Sequence, residues 1–207
     1  MTSNPPPTPM RYDLQVIASW IEPGSKVLDL GCGEGELLYY LKQHKQVRGT
    51  GIDHSESKVA MCIDKGLSVL QGDLSEEVKD YADQTFDFII LSQTLQQVYE
   101  PDKLLKELVR IGQRVVVSFP NFSHWNCRLQ LLFLGQAPTT RQLPYSWFNT
   151  PNIRVITSKD FRIFARDMGF RIFKEVAIST WNQEGEGNII EFLPNLRATN
   201  GIVLIGI

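Results

Sequence analysis

The sequence is poor in the residues that would commit it to several familiar chemistries. It holds three cysteines and three histidines in 207 residues. Cys32, Cys62 and Cys127 are odd in number and far apart, and the chain has no CxxC pair and no HExxH string. That excludes a disulfide ladder and the usual zinc spacings, so no metal is expected. Free thiols at such spacing suit a reducing cytoplasm. Long apolar runs are also lacking. Phe88–Leu91 and Val115–Val117 fall far short of the roughly 20 residues of a membrane helix, so no membrane partner is expected. No charge of one sign dominates: 21 basic and 23 acidic side chains leave a net charge of −2. Such a balance argues against bulk electrostatic binding to nucleic acid. The first ten residues carry no Lys or Arg and no apolar stretch, so no signal peptide is expected. Four prolines mark 1–9 as an expected disordered or extended tail.

What is present is an ordinary globular composition, 43% hydrophobic and 21% charged, with length for one domain over 10–207. Strand-like and helix-like segments alternate. Helical spacing runs from Tyr12 to Ile21 and stops at Pro23-Gly24. Lys26–Leu30 predicts a buried strand, Glu36–Lys45 a helix and Val47–Ile52 a second strand. Ser55 is placed to cap a helix ending near Lys65. Further strands are expected at Leu67–Leu70, Phe86–Leu91 and Arg114–Phe119, with a helix over Asp102–Ile111 behind Pro101. Ser158 to Met168 predicts another helix. Phe170–Ile178 and Ile202–Ile207 predict a closing pair of strands. Repeated strand–helix units imply parallel strands with helices on both faces, an open doubly wound α/β sheet. Ligands of such sheets sit beyond the carboxyl ends of the strands.

Those ends carry the chemistry. The first strand runs into Asp29-Leu30-Gly31-Cys32-Gly33-Glu34-Gly35, a GxGxG loop that opens a helix. Glycines there permit positive φ and close approach of a ligand to the backbone. A dinucleotide site would space its glycines GxGxxG, and the carboxylates of Glu34 and Glu36 would repel a pyrophosphate. The same acids suit a ligand with a cationic amine and a sulfonium, which favours S-adenosylmethionine over NAD. Asp53 ends the second strand, 22 residues after Gly31, where an acid can accept ribose hydroxyls. Asp73 follows the third strand, where a carboxylate can accept the adenine amine. Cys32 in the loop, His54 beside Asp53, Gly72 and Leu74 beside Asp73, and Ser92 at the end of the fourth strand complete the expected cofactor-binding set.

These strings resemble the cofactor motifs of class I S-adenosylmethionine-dependent methyltransferases. The resemblance covers roughly Val27 to Phe119 and implies a seven-stranded sheet with an antiparallel last strand. A narrower match runs along most of the chain. Arg11-Tyr12-Asp13-Leu14, Leu91-Ser92-Gln93-Thr94-Leu95-Gln96, Ser118-Phe119-Pro120-Asn121-Phe122, Leu143-Pro144-Tyr145 and Asn149-Thr150-Pro151-Asn152-Ile153 resemble the MetW family. That resemblance implies a bacterial role in methionine biosynthesis, in association with the homoserine O-acyltransferase MetX.

No catalytic residue can be assigned. The fourth-strand end offers Gln93, Gln96 and Gln97, polar amides without an ionisable base. His124 is open to two readings, a base or a helix-end histidine. The segment 121–155 is rich in aromatics and has three readings: core completion, a lid over an acceptor, or a docking insertion. Its Trp125, Arg128 and Tyr145, together with Tyr12, join Gln93, Gln96 and His124 as candidates for touching substrate or partner. Two functions therefore stand open. One is a cofactor-binding partner of the acyltransferase. The other is a working small-molecule methyltransferase with its own acceptor.

Overall fold

Alternate residues of each strand must point to opposite faces, and both faces of this sheet are apolar. A computed structural model describes residues 10–181 and 185–207; the expected tail, 1–9, lies outside them. Five parallel strands come first: β1 (Lys26–Leu30), β2 (Arg48–Asp53), β3 (Ser68–Gln71), β4 (Phe86–Ser92) and β5 (Gly112–Pro120). Strands β6 (Arg171–Thr180), β7 (Gly187–Ile189) and β8 (Asn200–Gly206) follow. The spatial order is β3-β2-β1-β4-β5-β8-β6-β7. Strand β8 inserts antiparallel between β5 and β6.

Among the described residues the α-helices are α1 (Tyr12–Trp20), α2 (Glu36–Lys45), α3 (Glu56–Asp64), α4 (Leu74–Glu77), α5 (Pro101–Ile111), α6 (Trp125–Leu129), α7 (Ser158–Asp167) and α8 (Pro194–Arg197). Strand β4 shows how they divide. Ile89 and Leu91 point into a core with Leu104, Leu105 and Leu108 of α5 and Phe161 of α7. Phe88 and Ile90 point the other way, against Leu14 and Ile17 of α1 and Leu37, Leu38 and Leu41 of α2. Continuous burial of β4 and β5 is thus the mark of a sheet covered twice.

The α/β reading holds, with a mostly parallel sheet and an antiparallel closing strand. The strand count rises from seven to eight because β7 pairs three residues with Ile178–Thr180 at the edge. Three residues show no periodicity that a sequence can reveal. Two caps also differ from expectation. Thr157, not Ser158, caps α7, its Oγ1 accepting the Asp160 amide at 3.1 Å. Ser55 precedes α3 but its hydroxyl meets Ser57 Oγ at 3.0 Å and caps no backbone amide. The segment after β5 holds α6 and one π-helical turn, Gln130–Leu134, ended by Gly135 at φ +61°.

Ile90 is fully buried between β1 and β5, whereas Leu132 is 73% exposed. Ile90→Ala is therefore expected to cost about 2–5 kcal/mol in urea unfolding, and Leu132→Ala no more than about 0.5 kcal/mol. Equal losses would contradict this division of core from surface.

Candidate functional site

The strand order reverses at β1, which has β2 on one side and β4 on the other. The crevice beyond the carboxyl end of such a switch point is where ligands of open α/β sheets bind. Here that crevice receives the loop between β1 and α2. Its three glycines all have positive φ: +72° at Gly31, +58° at Gly33 and +73° at Gly35. They differ in what surrounds them. A Cβ on Gly31 would strike Thr94 Oγ1 at 2.6 Å, and one on Gly35 would strike Leu67 Cδ1 at 2.4 Å. A Cβ on Gly33 would meet nothing within 4 Å. The outer two glycines are required by packing within the chain. Gly33 faces open space.

Asp53 holds this loop in place. Its Oδ2 accepts the Gly33 amide and its Oδ1 accepts the Ser55 amide, both at 2.9 Å. The carboxylate is buried, with its side chain 4% exposed, and His54 Nδ1 stands 3.6 Å from Oδ1 on an exposed ring. Asp53 thus bridges the glycine loop and the residue that precedes α3. The Gly72 amide in turn donates to the Asp53 carbonyl at 3.2 Å, tying in the third strand end. There Asp73 is exposed, and its Oδ1 accepts the Ser75 amide at 2.7 Å to cap α4. Leu74 packs on the α5 side of the sheet.

Asp29 alternates with Val27 along β1 and so points to the α1–α2 face. It is buried, and no hydrogen bond to its carboxylate occurs among the described residues. Burial pushes its pKa up to about 7; the Arg11 guanidinium opposes that rise and the Asp53 charge adds to it. Arg11 sits just before α1 and pairs with buried Asp13 at 3.0 Å. Burial also raises the Glu36 pKa, and Arg11 lowers it through its charge and its main-chain N–H. One of the two acids expected to flank the loop is therefore engaged by the start of α1. The other, Glu34, is exposed.

Two thiols lie under the loop. Cys62 Sγ is 3.3 Å and Cys32 Sγ 3.8 Å from the Gly33 carbonyl oxygen. Burial raises both thiol pKa values above the ordinary range for cysteine, so each stays protonated and neither is a nucleophile. The fourth strand end adds a polar cluster. Ser92 Oγ and Ser118 Oγ are 3.1 Å apart, and the Gln93 amide donates to the Ser118 carbonyl at 3.0 Å. Gln93 holds φ +55°, a left-handed conformation uncommon outside glycine. Gln96 is buried; its Nε2 donates to the Gln93 carbonyl at 2.6 Å, and its Oε1 has no partner among the described residues.

The remaining candidates lie elsewhere. The Tyr12 ring packs against Gly187 of β7, where a Cβ would come within 2.5 Å of Tyr12 Cδ1. His124 Nδ1 accepts the Asn126 amide at 3.3 Å as the cap of α6, and burial lowers its pKa, which suits a neutral acceptor. Trp125 is tilted against that imidazole, Arg128 Nε donates to the Ser123 carbonyl at 2.7 Å, and Tyr145 is exposed. These hydrogen bonds and the ring contact of His124, Trp125 and Arg128 stay within the insertion, and none of them reaches the glycine loop. Arg11, Cys62 and Thr94 belong to the site, yet none was singled out by spacing; only the fold brings them to the loop. A cavity of about 410 Å³ lies at the opposite edge, among Lys26, Lys42, Arg48, Gly66 and Ser68. It is a hollow at the amino ends of β1–β3, lined by cations, one of which, Lys42, already donates to the Gly66 carbonyl. Volume alone does not make it the ligand site.

A family model described as methionine biosynthesis protein MetW matches residues 11–205. The chain is 31% identical over 205 residues to the bifunctional methionine biosynthesis protein MetXA/MetW of Rhodopirellula baltica, covering 94% of this chain and 32% of that protein. It is 28% identical over 105 residues to a phosphoethanolamine N-methyltransferase of Triticum aestivum, covering 47% of this chain and 21% of that enzyme. The chain thus spans about a third or less of the length of these relatives. Among solved structures, an S-adenosylmethionine-dependent methyltransferase of Thermotoga maritima, described as a possible histamine N-methyltransferase, matches with a TM-score of 0.67 at 18% identity. That match covers 94% of this chain and 87% of the other and establishes a methyltransferase-type, Rossmann-like fold.

The burial of Asp29 sets a pH dependence. Its folded pKa of about 7 lies above the ordinary 3.8. Between those values the folded chain binds the extra proton, so stability falls as pH rises from about 4 to 7 and levels off above. Asp29→Asn has no such proton. Its stability relative to the parent is expected to rise across that window by up to roughly 4 kcal/mol. Urea unfolding of both proteins at pH 4.5, 6 and 8 measures the difference; parallel curves would contradict the raised pKa.

Proposed function

The chain belongs to the MetW family, and from that premise we propose that it binds S-adenosylmethionine and acts with homoserine O-acyltransferase, MetX, in the acylation of homoserine. The observation that carries the cofactor reading is the open face of Gly33 between two buried carboxylates, Asp29 and Asp53. A positive-φ glycine with no neighbour above it lets a ligand lie on the backbone. Asp29, lacking hydrogen bonds, gains a partner and returns to its ionised form when an ammonium group approaches. Asp53 uses one lone pair on each oxygen for the loop and keeps others for hydroxyl donors. This set of acceptors fits a ligand with an ammonium group, a sulfonium and ribose hydroxyls, and it does not fit a pyrophosphate.

When bound, the cofactor supplies a methyl group on a sulfonium leaving group. The chain's own residues bind and orient. Asp29 takes the ammonium, Asp53 the ribose hydroxyls and Asp73 the adenine amine, with Cys32, His54, Gly72, Leu74 and Ser92 around them. Gln93 and Gln96 offer hydrogen bonds at the methyl end but no proton acceptor of suitable pKa. That absence of an ionisable base favours a cofactor-reading partner over a catalyst. The bifunctional MetXA/MetW relative, whose name joins the two, supports the acyltransferase as that partner. A bacterial, cytoplasmic setting accords with the family and with three free thiols.

A second reading, a working small-molecule methyltransferase, draws support from the similarity of about half the chain to phosphoethanolamine N-methyltransferases. It requires an acceptor that arrives unprotonated or brings its own base.

Titration calorimetry with S-adenosylmethionine tests the site. Asp53→Ala is expected to weaken binding by roughly 30-fold, the worth of charged hydrogen bonds, and Gly33→Val to abolish it by filling the open face. Undiminished binding in both would refute the assignment. Assay of the acyltransferase with and without this protein separates the two functions. Faster acylation without S-adenosylhomocysteine release supports the partner reading, and steady turnover with a small acceptor supports the second.

A further inference from the structure

The segment after β5 leaves an unusual amount of apolar surface uncovered. Leu131, Leu132, Phe133 and Leu134 are 55%, 73%, 74% and 63% exposed, and Trp147 and Phe148 are 79% and 72% exposed. A helical turn apolar on every side is ordinarily buried. These side chains do not hang on a loose loop. Gln130 exchanges two hydrogen bonds with Thr139, at 3.0 and 2.9 Å. Gln142 Nε2 donates to Thr180 Oγ1 at the end of β6 at 3.1 Å. The amides of Ile153 and Arg154 donate to the Gln96 carbonyl at 2.9 and 3.0 Å. The Trp147 and Phe148 rings pack edge to face. A surface of this kind, apolar, aromatic and held in shape, marks an interface.

Charge narrows the occupant. Residues 121–157 contain three arginines and no acid, in a chain whose net charge is −2. A second copy docking through the same segment would offer these arginines no acid of that segment to pair with. A partner with an acidic rim around an apolar patch would be steered onto them. We infer that two exposed apolar groups of this segment, the turn Leu131–Leu134 and the Trp147–Phe148 pair, are where the homoserine O-acyltransferase docks. This rests on the partner reading above, which the fused MetXA/MetW relative supports. The face is joined through Ile153 and Arg154 to Gln96, and through Gln96 to Gln93 at the strand end beside the glycine loop.

The test uses the full chain and the acyltransferase of the same organism, both purified, with binding followed by calorimetry. Leu132→Glu with Phe133→Glu, and separately Trp147→Ala with Phe148→Ala, replace side chains that contribute nothing to the core. Each pair is expected to weaken binding by roughly 30-fold or more, the mark of interface anchors. Arg141→Glu is expected to weaken it less and to flatten its salt dependence. S-adenosylmethionine binding measured in the same variants reports an intact fold. No binding by the parent chain would overturn the partner reading itself. Parent-like binding by both patch variants would leave the partner reading standing and overturn the docking face. The face would also be misassigned if the variants dissociated a dimer of this chain seen by light scattering while keeping the acyltransferase. The same holds if the parent chain bound phosphatidylglycerol vesicles and the patch variants lost that binding while keeping the acyltransferase.

Discussion

One carboxylate organises the strand ends. Asp53, buried at the end of β2, takes the amide of Gly33 on one oxygen and the amide of Ser55 on the other. Its own carbonyl takes the amide of Gly72. Three loops that leave three parallel strands are joined through one residue. Hydrogen bonds from backbone amides to a carboxylate in a low-dielectric setting are among the strong ones. They hold the glycine loop in its left-handed turns, with Gly33 open to a ligand and Gly31 and Gly35 closed against Thr94 and Leu67. The site is preorganised because the group proposed to hold the ligand also holds the loop.

The sheet makes that arrangement possible. Parallel strands deliver their carboxyl ends to one edge, and the reversal of order at β1 opens a crevice there. Alternation along β1 then decides which side chains point where. Leu28 and Leu30 pack beneath α5 and α7, and Val27 packs beneath α1 and α2. Asp29 follows Val27 onto that second face, where the start of α1 brings Arg11. A carboxyl in such a place costs stability in its charged form, because burial removes its hydration.

Much of this was legible in the sequence. Lys26–Leu30 and Glu36–Lys45 occur with the expected limits, because continuous apolar runs and glycine stops are local signals. The glycine loop, Asp53 and Gly72 come together at one edge for the same reason: the strand pattern dictates where each strand ends. What could not be read depends on contacts between distant segments. Arg11 reaches Glu36 only after α1 folds over the loop, and Cys62 reaches Gly33 only because α3 packs beneath it. Strand β7 is three residues long and exists because β6 offers an edge. Ser55 has the residue type of a cap, but its hydroxyl turns to Ser57 Oγ and its own amide is held by Asp53. The insertion candidates His124, Trp125 and Arg128 share a segment with the apolar groups, and their bonds and ring contact do not reach the glycine loop.

We propose that S-adenosylmethionine lies on Gly33 and is held through Asp53. Nuclear magnetic resonance of the ¹⁵N-labelled protein during addition of S-adenosylmethionine tests it most directly. The account expects the largest amide shifts at Gly33 and Ser55, the two donors to Asp53, with smaller ones at Gly72. Shifts centred instead on Lys42, Gly66 and Ser68, around the cavity at the opposite edge of the sheet, would contradict it.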